Sequence, residues 1–195
     1  MLNSGNHVSD TAFQLLKGAI REVEGVFTPS TFQELDELCG KFSRAKSVIC
    51  YGVGREGLVM KSLTMRLMHS GINSYFVGDM NVPPAGKGDL LITSAGPGYF
   101  STVEALSKVA SNSGAEVITF TAQKEKVFKV PNQFIVTIPA RTMANDQNLS
   151  EKQILPMGSL YEVALFLFFE MLILKFRDFR SETAETMRER HTNLE

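Results

Sequence analysis

The sequence predicts an α/β protein of three layers, in which helices cover both faces of a five-stranded parallel sheet. Short β-prone runs alternate along the chain with segments whose apolar residues recur every three or four positions. Two glycine-rich loops each follow such a run and open a helical segment. Strands that alternate with helices form parallel sheets with right-handed crossovers. We therefore predict the strand order 2-1-3-4-5, with the strands at 48–51 and 90–93 as central neighbours.

The elements follow one another without a convincing linker, so we predict a single domain over residues 1–195. Helical periodicity predicts N-terminal helices within 12–44 and C-terminal helices within 157–190. The α/β core is expected over 47–138. Its predicted elements are the strand 47–51, the helix 58–69, the strand 73–77, the strand 90–93, the helix 100–113, the strand 116–121 and the strand 133–138.

Composition excludes several classes of protein. Of the 195 residues, 20 are basic and 21 acidic, which argues against a nucleic-acid-binding protein. The longest apolar stretch, 160–176, is interrupted by charges and is too short for a membrane span. Residues 1–10 lack the features of a signal peptide, and two cysteines suit a reducing compartment, so a cytoplasmic protein is expected. Three scattered histidines give no metal-ligand spacing.

The loop 52–57 reads GVGREG and matches the pattern G-x-G-x-x-G. It follows a strand and opens a helix, and Asp79 comes about 20 residues later, the context of a dinucleotide-binding fingerprint. A nicotinamide cofactor is therefore one interpretation. A tight turn between strand and helix, without a ligand, is another. The chain is too short after Asp79 to hold a full substrate domain, which weighs against the nicotinamide enzyme.

Six collinear segments, which cover nearly the whole chain, match a known family in order and spacing. They are 52–58 (GVGREGL), 65–71 (MRLMHSG), 77–79 (VGD), 86–92 (GKGDLLI), 155–162 (LPMGSLYE) and 190–195 (RHTNLE). On these motifs the chain resembles the sugar isomerase (SIS) domain family, in particular its 6-phospho-3-hexuloisomerase branch. The resemblance implies a flavodoxin-like fold, assembly as a dimer or tetramer, and no cofactor. It also implies that a phosphorylated ketohexose is isomerised by proton transfer through an enediol.

The resemblance also implies two catalytic residues. Glu162 occupies the position of the family's proposed catalytic glutamate, in the segment 158–162, and would act as the general base. The alternative is that Ser159 and Glu162 form a capping box, in which the glutamate only satisfies a helix N–H. His191 would serve ring opening or proton shuttling, in its own site or in a neighbouring subunit's. The alternative is a solvated terminal histidine.

The resemblance further implies that the two glycine-rich loops bind the substrate. The residues expected to do so are Gly54, Arg55, Ser94, Gly96, Gly98 and Ser101. Ser101 has the alternative of starting a helix through a capping box with Glu104. In the family the first loop usually carries a serine where this chain has Glu56. A carboxylate there would repel a phosphate dianion unless it points away or pairs with Arg55.

The second loop departs further from the family. It reads SAGPGY over 94–99, where the family usually has SGSGET, so most of the hydroxyls that hold the sugar phosphate are absent. Pro97 also has no N–H to offer an anion. Two functions therefore stay open besides the nicotinamide enzyme: an isomerase of a ketohexose phosphate, and a non-catalytic sugar-phosphate-binding protein.

The helix predicted at 160–175 is apolar on nearly all its faces. A helix on the surface of one sheet cannot bury all of them against its own chain. We therefore expect a homo-oligomer.

Overall fold

The structure, a computed structural model, describes residues 4–145 and 153–194. Five parallel strands form one sheet in the order β2-β1-β3-β4-β5, which confirms the predicted topology. The strands are β1 (Val48–Tyr51), β2 (Ser74–Phe76), β3 (Leu90–Ser94), β4 (Glu116–Thr121) and β5 (Gln133–Thr137). The helices are α1 (Ser4–Glu24), α2 (Leu35–Arg44), α3 (Gly54–His69), α4 (Ser101–Asn112), α5 (Ser159–Phe179) and α6 (Ala184–Glu189), with short 3₁₀ turns at Pro29–Phe32 and Lys124–Lys126.

Alternating residues of the strands build a core on each face of the sheet. Val48 and Cys50 of β1 point to the larger core, which α2, α3 and α5 cover. Ile49 lies on the other face, against Ala110 of α4. This alternation is the two-residue period of a strand, here buried on both sides.

The helix α5 supplies much of the larger core. Phe168 and Phe169 pack edge-on against Phe120 of β4, with ring centroids 5.7 Å and 4.9 Å away. At the far end of the helix Phe176 packs edge-on against Phe42 of α2. No helix among the described residues is long and apolar enough to cross a membrane.

The starts of two helices differ from the sequence prediction, and α5 runs to Phe179 rather than ending at 175. The helix α1 begins at Ser4 rather than near residue 12, and α3 begins at Gly54 rather than at 58. The sequence pattern does not predict the start of α3 at Gly54, because Gly54 and Gly57 are weak helix formers that this helix nevertheless includes. The consequence for function is that Arg55 and Glu56 stand in the first turn of a helix rather than in a loop.

The close approach of α3 to the end of β1 makes a test of the fold. A methyl group added at Gly57 would lie 2.6 Å from the carbonyl oxygen of Gly52. We expect Gly57→Ala to lower the free energy of unfolding by about 1–3 kcal/mol, the usual cost of overpacking. Urea unfolding measures it. In Gly86→Ala, the matched control, the nearest atom is 3.8 Å away, so it should change stability by less than about 0.5 kcal/mol. Equal stability of both variants would contradict this packing.

Candidate active site

Two loops and a helix start meet at the carboxyl ends of the central strands. The first loop, 52–57, leads from β1 into α3, and the second loop, 94–99, leads from β3 towards α4. They flank a cavity of about 480 Å³ together with the start of α5. The polar residues that line it are Arg55, Glu56, Thr142, Ser159, Tyr161 and Glu162. Ligands of open parallel sheets bind at this edge, where the strand order reverses.

Glu162 lies in the first turn of α5 and faces Arg55 of α3. Its Oε2 is 2.9 Å from Nη2 of Arg55, while Nη1 of Arg55 donates a hydrogen bond of 3.0 Å to Oγ of Ser159. The Glu162 side chain is 13% exposed and that of Arg55 is 61% exposed. Although Oε2 lies close to the guanidinium, it makes no hydrogen bond among the described residues. Burial raises the pKa of Glu162, and Arg55 offsets only part of that rise.

The capping-box interpretation of Glu162 is wrong. The residue that caps α5 is Gly158, in the left-handed conformation with φ 83°, and no side chain caps the helix. Ser159 is already the first helical residue, so its hydroxyl is out of place for the cap and bonds Arg55 instead. The carboxylate of Glu162 is therefore left to the cavity and to Arg55.

Glu56 forms a buried network that the sequence did not reveal. Its Oε2 accepts a hydrogen bond of 2.5 Å from Oγ of Ser94 and one of 2.9 Å from the backbone N–H of Gly96. Oγ of Ser94 also lies 3.1 Å from the hydroxyl of Tyr161. Ser94 is fully buried and Glu56 is 7% exposed. The carboxylate thus points away from solvent, onto the second loop, rather than towards Arg55.

Burial dominates the electrostatics of this network. It raises the pKa of Glu56, against the lowering effect of the hydrogen bonds from Ser94 and Gly96, and the nearby Glu162 raises it further. Burial and the Glu56 carboxylate also raise the pKa of the Tyr161 hydroxyl well above its usual value. The two glutamates of the cavity therefore share a raised pKa but differ in their partners.

The glycines expected to bind substrate occupy different environments. Gly54 is exposed, with φ 57° and open space around its α-carbon. Gly96 is buried, and a Cβ there would lie 2.7 Å from the ring of Tyr161 and 2.8 Å from Oε1 of Glu56. Gly98 is also buried, with φ 96°, and its missing Cβ would meet Lys126 at 2.6 Å. The structure therefore requires glycine at 96 and 98 for packing, and of these three glycines Gly54 alone borders the cavity.

Ser101 is the first residue of α4, is exposed, and does not line the cavity. The capping box with Glu104 is wrong as well, because the N-cap residue of α4 is Phe100, which makes no side-chain capping hydrogen bond. Glu104 instead pairs with Lys108 at 2.8 Å and accepts a hydrogen bond from the hydroxyl of Tyr99. A substrate contact by Ser101 stays a prediction.

His191 lies at the opposite end of the molecule from Glu162. Its ring stacks on that of His69, the last residue of α3, with centroids 5.0 Å apart. The 16 residues of α3 span about 24 Å at 1.5 Å per residue, and the cavity is at the other end of this helix. Within one chain His191 and Glu162 are not brought together, so a shared site would need a second subunit.

The glycine-rich pattern of the first loop has a structural explanation. A Cβ at Gly52 would lie 3.0 Å from the backbone nitrogen of Gly57, so both glycines permit α3 to pack on the end of β1. The helix start also carries the carboxylate of Glu56, an unfavourable neighbour for a pyrophosphate. These contacts favour the tight turn over the nicotinamide fingerprint. Among the residues that the structure describes, no cluster of His, Cys, Asp and Glu could hold a metal ion.

Comparison with known proteins identifies relatives over most of the chain. No family model matches the sequence. The chain is 34% identical to 3-hexulose-6-phosphate isomerase of Bacillus subtilis over 84% of its own length and 88% of that protein. It is 30% identical to 3-hexulose-6-phosphate isomerase of Methanocaldococcus jannaschii, over 83% of this chain and 84% of that one.

Solved structures give the same result for the fold. A Methanococcus jannaschii protein, for which a molecular function of 3-hexulose-6-phosphate isomerase has been inferred, superposes with a TM-score of 0.75 at 25% identity, over 95% of this chain and 99% of that one. A phosphoheptose isomerase from Francisella tularensis superposes with a TM-score of 0.57 at 13% identity, over 90% and 99%. The fold is that of the SIS-domain phosphosugar isomerases. Within that class, the chain belongs to the 3-hexulose-6-phosphate isomerase family, as its motifs indicate.

The Glu56 network predicts a pH-dependent loss of stability in Ser94→Ala. This variant removes one of the two donors to a buried carboxylate, which costs about 1.5–3 kcal/mol when that carboxylate is ionised. Because burial raises the pKa of Glu56 above that of the unfolded chain, the ionised form costs stability above the raised pKa. The loss caused by Ser94→Ala should therefore be largest at pH 8 and shrink as the pH falls through that pKa. Urea unfolding at a series of pH values measures it.

Ser107 provides the matched control. Its hydroxyl is buried in α4 and has no hydrogen-bond partner among the described residues. Ser107→Ala should change the free energy of unfolding little and equally at every pH. A loss in Ser94→Ala that does not vary with pH would contradict the hydrogen bond to an ionised Glu56.

Proposed function

We propose that the protein is a sugar-phosphate isomerase that interconverts 3-hexulose 6-phosphate and fructose 6-phosphate, or a closely related pair of ketose phosphates. Membership of the 3-hexulose-6-phosphate isomerase family supports this class of reaction. The observation that carries the proposal is Glu162, a carboxylate in the wall of the cavity with a raised pKa and no hydrogen bond to Oε2 among the described residues.

The chemistry needs a base and a group that stabilises negative charge. In the 3-keto sugar, removal of the proton on C2 gives a 2,3-enediolate with the negative charge on O3. Transfer of the O2 hydroxyl proton to O3 and return of a proton to C3 give the 2-keto sugar. A carboxylate whose pKa burial raises is a better proton acceptor than an exposed one, and a raised pKa suits a base near neutral pH. In the proposal Glu162 moves the proton. Arg55, 2.9 Å from it, stabilises the charge that develops on the enediolate oxygen.

A second candidate function is a sugar-phosphate-binding protein without catalysis. The observation in its favour is that Glu56 occupies the donors of the second loop, Ser94 and Gly96. The two candidate functions differ in whether Glu162 must accept a proton. The isomerase needs a proton acceptor, whereas a protein that only binds the sugar phosphate does not.

We further propose that the protein is a homo-oligomer and that it works in the cytoplasm. The outer side of α5 exposes Phe166, Leu167 and Leu174 by 38–41% each, and Leu58 of α3 by 65%. Apolar surface of this extent on neighbouring helices is typical of an interface. A second subunit would also be required for His191 to approach a Glu162. Both cysteines are free and buried, in keeping with a reducing compartment.

The variant Glu162→Gln tests the base. Glutamine keeps the shape of the side chain but cannot accept the proton, so kcat with 3-hexulose 6-phosphate should fall by about 10²–10⁴-fold. The melting temperature should stay close to that of the wild type, because this carboxylate does not cap α5. An assay coupled to formation of fructose 6-phosphate measures the rate.

The control is Glu104→Gln, the same change in a glutamate that bonds Lys108 and Tyr99 outside the cavity. It should leave kcat unchanged. A rate above about one tenth of wild type in Glu162→Gln would show that Glu162 is not the base. If the wild type itself converts no ketohexose phosphate, the isomerase is wrong and the binding protein takes its place.

Light scattering at micromolar concentration tests the oligomer. We expect a mass that is a multiple of the 21.6 kDa chain. Phe166→Glu puts a charge into the exposed apolar side of α5 and should shift the mass towards that of one chain. Val109→Glu, at a site 64% exposed on α4, is the control and should leave the mass unchanged. A wild-type monomer would refute the proposal.

A further inference from the structure

We infer that Glu56 is a built-in substitute for a bound phosphate. Its carboxylate occupies the anion-binding donors at the start of the second loop. This end of the cavity therefore takes the uncharged, hydroxyl-bearing part of the sugar, and the phosphate binds elsewhere. The inference rests on the proposed function in that it takes the ligand to be a sugar phosphate. It makes Glu56 a specificity-determining residue.

The geometry around Glu56 is that of a bound anion. One carboxylate oxygen receives a side-chain hydroxyl, at 2.5 Å from Ser94, and a backbone N–H, at 2.9 Å from Gly96. Hydroxyl and backbone N–H groups that converge on one oxygen are the usual means by which a loop holds a phosphate or carboxylate. Here the chain supplies that anion itself, from the first turn of the neighbouring helix.

The donors are sealed as well as occupied. Ser94 is fully buried and Gly96 is buried, with Tyr161 packed so closely that a Cβ at Gly96 would lie 2.7 Å from its ring. The hydroxyl of Tyr161, which is 1% exposed, lies 3.1 Å from Oγ of Ser94. A phosphate could reach these donors only by displacing Glu56.

The rest of the cavity wall discourages such a displacement. Its ionisable residues are Arg55, Glu56, Tyr161 and Glu162, so the wall holds two carboxylates and one guanidinium. Pro97, the loop residue that borders the cavity, has no N–H to offer. A dianion placed beside Glu56 would meet like charge, and the donors of the second loop that lie there, Ser94 and Gly96, are already bonded to Glu56. A hydroxyl group of the sugar carries no charge and can donate to these carboxylates.

The test follows inorganic phosphate at the Gly96 amide by NMR. In the wild type the Gly96 amide signal should not move as phosphate is added, because its N–H is already bonded to Glu56. In Glu56→Ser, which shortens the side chain and removes its charge, the signal should move and saturate. The dissociation constant read from that signal should lie about tenfold or more below the highest phosphate concentration that leaves the wild-type signal unmoved, since two donors are released.

Two further variants keep the test independent of how well Glu56→Ser folds. Glu56→Gln is isosteric and removes only the charge, so it should strengthen phosphate binding by a smaller factor. Glu104→Ser, the matched control outside the cavity, should bind phosphate as the wild type does. A saturable shift of Gly96 in the wild type would overturn the inference whatever the variants do. Unchanged phosphate affinity in folded Glu56→Ser or Glu56→Gln would also overturn it.

Selectivity between sugars gives a second readout. The preference for fructose 6-phosphate over fructose, as the ratio of their dissociation constants, should rise in Glu56→Ser relative to wild type. An unchanged ratio would count against the inference. None of these measurements depends on turnover, so a wild type without isomerase activity would refute the proposed function and leave the role of Glu56 to be decided by the Gly96 signal.

Discussion

The buried carboxylate of Glu56 constrains the whole carboxyl edge of the sheet. Taken out of water, it needs donors, which are Ser94 at the end of β3 and Gly96 in the second loop. These bonds tie the start of α3 to the second loop. Tyr161 then closes over the loop from α5, which is possible only because residue 96 has no side chain. The Glu56 carboxylate and its two donors therefore link the three elements that border the cavity.

The two glutamates of the cavity differ in what the chain gives them. Burial raises the pKa of both. Glu56 receives two hydrogen bonds, whereas among the described residues Oε2 of Glu162 has the nearby charge of Arg55 and no hydrogen bond. A carboxylate oxygen that accepts two buried hydrogen bonds is held by the structure, whereas one beside a single exposed guanidinium stays available to a substrate proton. The two glutamates therefore have different roles because their hydrogen-bonding and charged partners differ.

The sequence predicted the sheet because strand order depends on a pattern that repeats along the whole chain. Its motifs also located the cavity and Glu162. It failed where the outcome depends on contacts between distant segments. The capping box at Ser159 is correct as a local pattern, but Gly158 in a left-handed conformation caps the helix one residue earlier. The sequence shows that Glu56 departs from the family, but it does not show where the Glu56 side chain points. That orientation depends on Ser94 and Tyr161, which lie far from Glu56 in the sequence.

The length of α3 bears on the two residues that the family resemblance pairs. The helix carries Arg55 at its start, beside Glu162, and His69 at its end, stacked on His191. A straight helix keeps its two ends apart, so Glu162 and His191 of one chain lie at opposite ends of the molecule. A role for His191 in proton transfer therefore requires that the His191 end of a second chain lies against the cavity of the first. The exposed apolar side of α5, which begins at that cavity, is the surface on which such a second chain would pack.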